Sequence, residues 1–226
     1  MKAYELTLLS PLYYRSRIES GAAGATITAP WIGDLATMYA INNTLHFSNI
    51  KFGYTSHKPN YREIMDLGFF LSVLEPVNEC RFTKVFDIAT SFISEGYPLG
   101  KAISDSGRAP MRNWIRRQGL EPGNTFSFLA FFNRNLETFP SKFTIRLGNT
   151  KEALALVREI PISMIEKVTL NLYTLSLALG REGINDVIKR IKARQPAGTI
   201  EQASSQYVLM RGISVEDLKG ILDQYN

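Results

Sequence analysis

The chain has 226 residues, 45% of them hydrophobic and 21% charged, an ordinary globular composition that excludes wholesale disorder. One cysteine and two histidines cannot fill a four-ligand structural zinc site, and Cys80 has no partner for an internal disulfide. The net charge of +5 is localised: residues 101–150 hold eight cations (Lys101, Arg108, Arg112, Arg116, Arg117, Arg134, Lys142, Arg146) against Asp105, Glu121 and Glu137, while the remainder holds 18 of each sign.

The first fourteen residues carry a single lysine and lack the roughly 7–15-residue apolar core of a signal peptide. No run of about 18 apolar residues occurs anywhere, so the expected location is cytoplasmic, with no membrane partner. Residues 4–8 alternate and predict a first strand, stopped by Ser10-Pro11. Residues 21–25 form a small-residue loop. Thr28 is a suitable N-cap with Pro30 near the helix start, and Trp31, Leu35, Met38 and Leu45 recur at helical spacing through about Thr44 as a core stripe. Residues 51–60 are polar and turn-rich. A short helix is predicted over 61–67, ended by Gly68. Residues 69–74 and 81–86 are expected strands about a turn at Pro76-Val77-Asn78, with Cys80 beside the second as a buried thiol.

Residues 94–124 have loop chemistry, and a loop of that length in a compact domain is a candidate functional segment. It contains Arg108, Arg112, Arg116 and Arg117 around Trp114. Residues 125–132 and 142–147 are predicted strands, the latter ending at Gly148. Residues 152–160 and 167–177 lean towards strand, although Ala153-Leu154-Ala155-Leu156 suits a helix equally. Residues 183–193 form an amphipathic helix, broken by Gln195-Pro196-Ala197-Gly198. Ser214 and Asp217 cap a last helix that turns Leu218, Ile221 and Leu222 inward. Several strands, few helices and no regular βα alternation give the α+β class.

Catalytic signatures are sparse. There is no phosphate-binding glycine loop and no nucleophile elbow. His46 and His57, the latter with Tyr54 and Lys58, could serve as acid and base in metal-free RNA cleavage, against the bland readings of a helix cap and a loop side chain. The expectation is no catalytic residue, no metal and no cofactor. The basic segment fits RNA better: guanidinium groups pair bidentately with phosphate, and an aromatic face stacks on an unpaired base. A solvated face and a hydrophobic anchor at Trp114-Ile115 are the structural alternatives. A second such patch is Tyr13-Tyr14-Arg15-Ser16-Arg17. Residues 127–132 lack the basic-Gly-aromatic pattern of a standard RNA-recognition motif.

Three stretches carry a family resemblance. Leu8-Leu9-Ser10-Pro11-Leu12-Tyr13-Tyr14-Arg15-Ser16-Arg17 resembles the first strand and turn of the type I-D CRISPR-associated subunit that caps the crRNA 5′ handle in Cascade. Ala29-Pro30-Trp31-Ile32-Gly33-Asp34-Leu35-Ala36-Thr37-Met38-Tyr39-Ala40 resembles its first helix. Phe139-Pro140-Ser141-Lys142-Phe143-Thr144-Ile145-Arg146-Leu147-Gly148, with Lys151-Glu152-Ala153, is similar to its late Pro-x-x-Ile-Arg-Leu-Gly element. The resemblance covers about the first 160 residues in patches; the glycine-rich C-terminal loop of the wider superfamily has no counterpart.

It implies a single domain over 1–226 with the ferredoxin-like, RRM-derived core of the RAMP superfamily. Residues 94–124 would be a basic insertion or thumb; 181–226, which the resemblance does not cover, is expected from its helical spacing to be a helical C-terminal extension. It implies a non-catalytic subunit whose partners are crRNA, the backbone filament subunits and the large subunit, with target DNA close by. Arg108, Arg112, Arg116 and Arg117 would neutralise phosphates, and Trp114, Tyr13 and Tyr14 would stack on bases. Arg15, Arg17, Arg134, Lys142 and Arg146 are further phosphate candidates. The rival readings are an endoribonuclease that matures the guide precursor and a scaffold for an acidic protein.

Overall fold

The computed structural model describes residues 1–14, 25–48, 61–90, 113–131, 136–148, 153–194, 200–204 and 206–222, with backbone alone at 25–27, 86–90, 113–117, 136 and 194. Its strands are β1 (Lys2–Leu8), β2 (Ala25–Ile27), β3 (Phe70–Leu71), β4 (Glu75–Pro76), β5 (Phe86–Thr90), β6 (Asn113–Gln118), β7 (Thr125–Phe131), β8 (Lys142–Leu147), β9 (Ala153–Ile160), β10 (Lys167–Asn171), β11 (Ile200–Gln202) and β12 (Val208–Ser214). The α-helices are α1 (Asp34–Leu45), α2 (Leu172–Arg194) and α3 (Val215–Leu222).

Alternation in β1 buries Tyr4, Leu6 and Leu8 and leaves Glu5 and Thr7 partly exposed. Because the side-chain period is two, that pattern pins the register. Tyr4 stands opposite Phe128 of β7, and Leu6 opposite both Phe126 of β7 and Val157 of β9. The rings then pack as a unit: Tyr4 stacks on Phe128 with centroids 5.6 Å apart, Phe139 lies 5.9 Å from Tyr4, and Phe47, just past α1, stacks on Phe139 at 4.9 Å. Fully burying such rings is worth about 1.5–3 kcal/mol each.

The main sheet runs β3-β7-β1-β9-β8, with β4 also on β7, and its pairings are antiparallel. β3 is therefore parallel to β1, with β7 between them and α1 as the crossover. That is the split βαβ arrangement of a ferredoxin-like core, with β9 as its fourth strand and β8 added at the edge. Between β7 and β9 the described residues form a 3-10 turn (Leu136–Thr138) and β8 rather than a second α-helix.

The helix start differs from expectation. α1 begins at Asp34 behind Gly33, and Thr28 does not cap it. Ile32 and Leu74 exchange backbone hydrogen bonds of 3.1 and 3.0 Å, which keeps the chain extended to that point. Thr28 is buried instead, donating its Oγ1 hydrogen to the Tyr14 carbonyl (3.2 Å). Trp31 lies outside the helix, edge-on to Tyr207 at 5.3 Å. The helical segment Tyr61–Leu67 is 3-10, followed by Gly68 at φ 71.

Residues 69–74 are not one strand. Ser72 pairs with Leu129 through its backbone N–H (2.9 Å), and its Oγ accepts the Leu129 N–H (2.9 Å). Val73 then donates to Thr169 of β10 (2.9 Å). The interruption between β3 and β4 thus fastens the main sheet to the C-terminal sheet, ordered β10-β12-β11. Arg211 of β12 adds an ion pair to Glu75 of β4 at 2.8 Å. The expected strand over 81–86 is reduced to a bridge at Phe82, and β5 starts at Phe86. Cys80 is half-buried, its thiol 3.5 Å from the Pro30 carbonyl, and burial, with Glu75 nearby, raises its pKa.

Residues 181–226 contain β11 and β12 as well as helix, and 94–124 contain β6. The local sequence of β11 and β12 is short and mixed, so pairing with β10 decides their state. α2 is broken at Gly180, whose φ of 69 suits glycine. The Asp217 N–H meets Ser214 Oγ at 3.5 Å as the cap of α3, and Leu218, Ile221 and Leu222 are buried. No helix among the described residues is long and apolar enough to cross a membrane. The loops over 21–24, 51–60 and 195–198 lie outside the described residues.

Candidate nucleic-acid interface

The two aromatic-basic patches are far apart in sequence, yet their described parts meet. Leu12 and Leu120 pair across backbone hydrogen bonds of 3.0 and 2.9 Å. Residues 12–14 therefore run beside the end of β6. Tyr13 packs directly on Gly119: a Cβ there would lie 2.5 Å from Tyr13 Cδ1 and 2.6 Å from the Leu12 carbonyl oxygen. Gly148, at φ 88, sits on the other side, where a Cβ would be 3.1 Å from the Tyr13 carbonyl. Only glycine permits this approach.

β6 is held on both edges. Residues 25–27 pair with it in parallel, setting Ala25 against Arg116 and Thr26 against Arg117. β5 pairs antiparallel, setting Asp87 against Arg116 and Ala89 against Trp114. Thr28 continues the link, donating its N–H to the Gln118 carbonyl (3.2 Å) while its hydroxyl holds Tyr14. Thr83 closes the far side, its Oγ1 accepting the Gly119 N–H at 3.0 Å.

Trp114, Arg116 and Arg117 thus lie on a strand, not in a loop as the sequence suggests. A strand alternates its faces, so positions 114 and 116 share one and 117 takes the other. The partners that impose this state, 25–27 and 86–90, are remote in sequence, so no local pattern announces it. Tyr14 is 7% exposed and packs in the core, which removes it from the rings open to a base. Tyr13 is partly exposed. Lys142 and Arg146 are exposed on β8, away from this pairing. Arg15, Arg17, Arg108, Arg112 and Arg134 lie outside the described residues, as do Tyr54 and His57. His46 closes α1 as an exposed residue in the left-handed region, φ 55, its N–H on the Asn42 carbonyl.

Sequence reasoning passed over Gly119 and Thr83 and gave Thr28 another role, that of a helix cap. The available signal was an isolated glycine directly after an Arg-Arg-Gln run, a mark of close backbone approach.

It also missed a buried polar cluster. Asp34, fully buried, accepts from Asn171 Nδ2 (3.0 Å) and from the Thr174 hydroxyl. Asn171 also donates to the Gln206 carbonyl and accepts the N–H groups of Tyr173 and Val208. Burial raises the Asp34 carboxyl to about 6, with the hydrogen bonds from Thr174 and Asn171 opposing. Tyr207 lies against Gly33, where a Cβ would be 2.0 Å from the phenolic oxygen. With these partners the cluster clamps α1 to the C-terminal sheet.

Eight chains of solved structures match this fold. One is a chain in a cryo-EM structure of the Type III-B Cmr-beta bound to cognate target RNA and AMPPnP. It is 11% identical, with 99% of this chain and 93% of that chain covered and a TM-score of 0.43. No curated protein matches the sequence. The family model for the Type I-D CRISPR-associated protein Cas5/Csc1 matches residues 1–210. The chain belongs to that family.

Proposed function

We propose that the chain is a non-catalytic, crRNA-binding subunit of a type I CRISPR surveillance complex that caps the 5′ handle of the guide. It contacts the backbone filament and large subunits, with target DNA close by. The observation that supports this reading is the junction at Gly119, where Tyr13 meets the end of the strand bearing Arg116 and Arg117. Arg108, Arg112, Arg116 and Arg117 neutralise phosphates, as do Arg15 and Arg17, which follow Tyr14 in sequence. Trp114 and Tyr13 supply stacking surfaces. Arg134 is a further phosphate contact. Guanidinium charge gives sequence-independent affinity, and each stacked base adds roughly 1–3 kcal/mol.

The main sheet is not the reading surface. Tyr4, Phe126, Phe128 and Phe143 face the aromatic core, and Phe70 and Phe131, paired on the sheet's other face, are buried as well, so these rings are closed to a base.

The test is binding of single-stranded repeat-derived RNA by the purified chain. Tyr13→Ala is expected to weaken binding by about 1–3 kcal/mol, with the RNA left intact. Unchanged affinity would remove Tyr13 from the site. Metal-independent cleavage abolished by His57→Ala would replace the proposal with the endoribonuclease reading.

A further inference from the structure

The outward face of β8 and β9 has a composition that the RNA site does not use. Register places its residues in rows: Lys142 opposite Arg158, Thr144 opposite Leu156, Arg146 opposite Leu154. Lys142, Thr144, Arg146 and Arg158 are exposed, while Leu154 and Leu156 are partly so. Phe143, Ile145 and Leu147 of β8 alternate with them; Ile145 and Leu147 are buried and Phe143 packs on the core. No ion pair reaches the three cations among the described residues. β8 ends the described sheet order, and its pairing with β9 uses one of its two edges.

We propose that this face, with the edge of β8 that no described strand pairs, docks an extended acidic segment of a protein subunit, one that carries aliphatic side chains. The inference rests on the reading that the chain works within a larger assembly. Three cations around two leucines present an apolar centre with a positive rim, complementary to carboxylates flanking aliphatic residues. A strand added to β8 would satisfy its outward backbone groups while alternate side chains meet the Leu154–Leu156 pair. A polyanion fits less well. The face has no ring to stack a base, leucines occupy its middle, and Glu5, opposite Arg158 on β1, continues the same row with negative charge.

Lys142 and Arg146, expected from sequence to contact phosphate, thereby become protein contacts. Charged side chains on an edge also deter unwanted pairing; the experiment separates that use from docking.

A photo-crosslinking amino acid is placed at Thr144, and the chain is co-expressed with guide RNA and the sister subunits of its own locus. Irradiation of the purified assembly should give a protein adduct whose peptide is rich in Asp, Glu and aliphatic residues. Lys142→Glu with Arg146→Glu and Arg158→Glu should lower retention of that subunit about tenfold or more, and Leu154→Ala with Leu156→Ala, which keeps the net charge, should lower it too while leaving RNA affinity of the isolated chain unchanged. An adduct to RNA, or no adduct in a formed assembly, overturns the docking face and spares the RNA reading. If the unsubstituted chain enters no assembly, both fall.

Discussion

β1 and β6 are strands of similar length built under opposite constraints. β1 lies at the centre of the main sheet, and its alternation of buried and part-exposed residues states its structure outright. β6 carries Trp114, Ile115, Arg116 and Arg117 in succession and is a strand because Ala25–Ile27 and Phe86–Thr90 pair on either side of it. A strand that buries one face is specified by its own sequence. One with adjacent cations and no alternation in its own sequence is specified by its neighbours.

The sharpest way to break the comparison is to damage the centre and ask whether the site follows. Phe128→Ala removes a fully buried ring that stacks on Tyr4. It should cost about 3–5 kcal/mol in urea unfolding, while the folded fraction keeps its RNA affinity. A specific affinity loss in the folded fraction would mean that core and site are not separable.

A smaller effect is expected for Asp34. Its ordinary pKa of 3.8 rises to about 6 in the fold, chiefly through burial. Between those values the folded chain holds a proton that the unfolded chain has released. Stability therefore falls as pH rises from about 4 to about 6, by about 2–3 kcal/mol. Asp34→Asn should flatten that part of the curve in denaturant titrations at successive pH values. A slope that persists in the variant would assign it to another group.

Gly119→Ala sharpens the comparison at the junction itself. The methyl would meet the Tyr13 ring and the Leu12 carbonyl. We expect a stability loss of about 1–3 kcal/mol from overpacking, together with weaker RNA binding by the remaining folded protein. Stability loss without an affinity change would show that Tyr13 and β6 act separately.

These contrasts explain what was legible in the sequence. β1, β8 and α3 follow from period-two alternation and the Ser214 cap, and β7 from an aromatic, strand-prone run whose last four residues are all buried. The Thr28 cap was misread because its hydroxyl is engaged by Tyr14 and the Ile32–Leu74 pairing delays the helix. β6, β11 and β12 depend on partners distant in sequence, which periodicity cannot reveal. At the site, the residue types were legible but not their meeting, since a glycine contact between residues 13 and 119 leaves no charge or period signature. The Asp34–Asn171–Thr174 clamp was invisible for the same reason.

The most direct measurement is the salt dependence of guide RNA binding by the unsubstituted chain and by a variant with Arg112→Ala, Arg116→Ala and Arg117→Ala. Each lost phosphate contact on a single strand should reduce the slope of log K against log salt by about 0.7, so the variant should lose about 2 units of slope with weaker binding throughout. Parallel lines with equal slopes would contradict the account and leave those arginines as a solvated face.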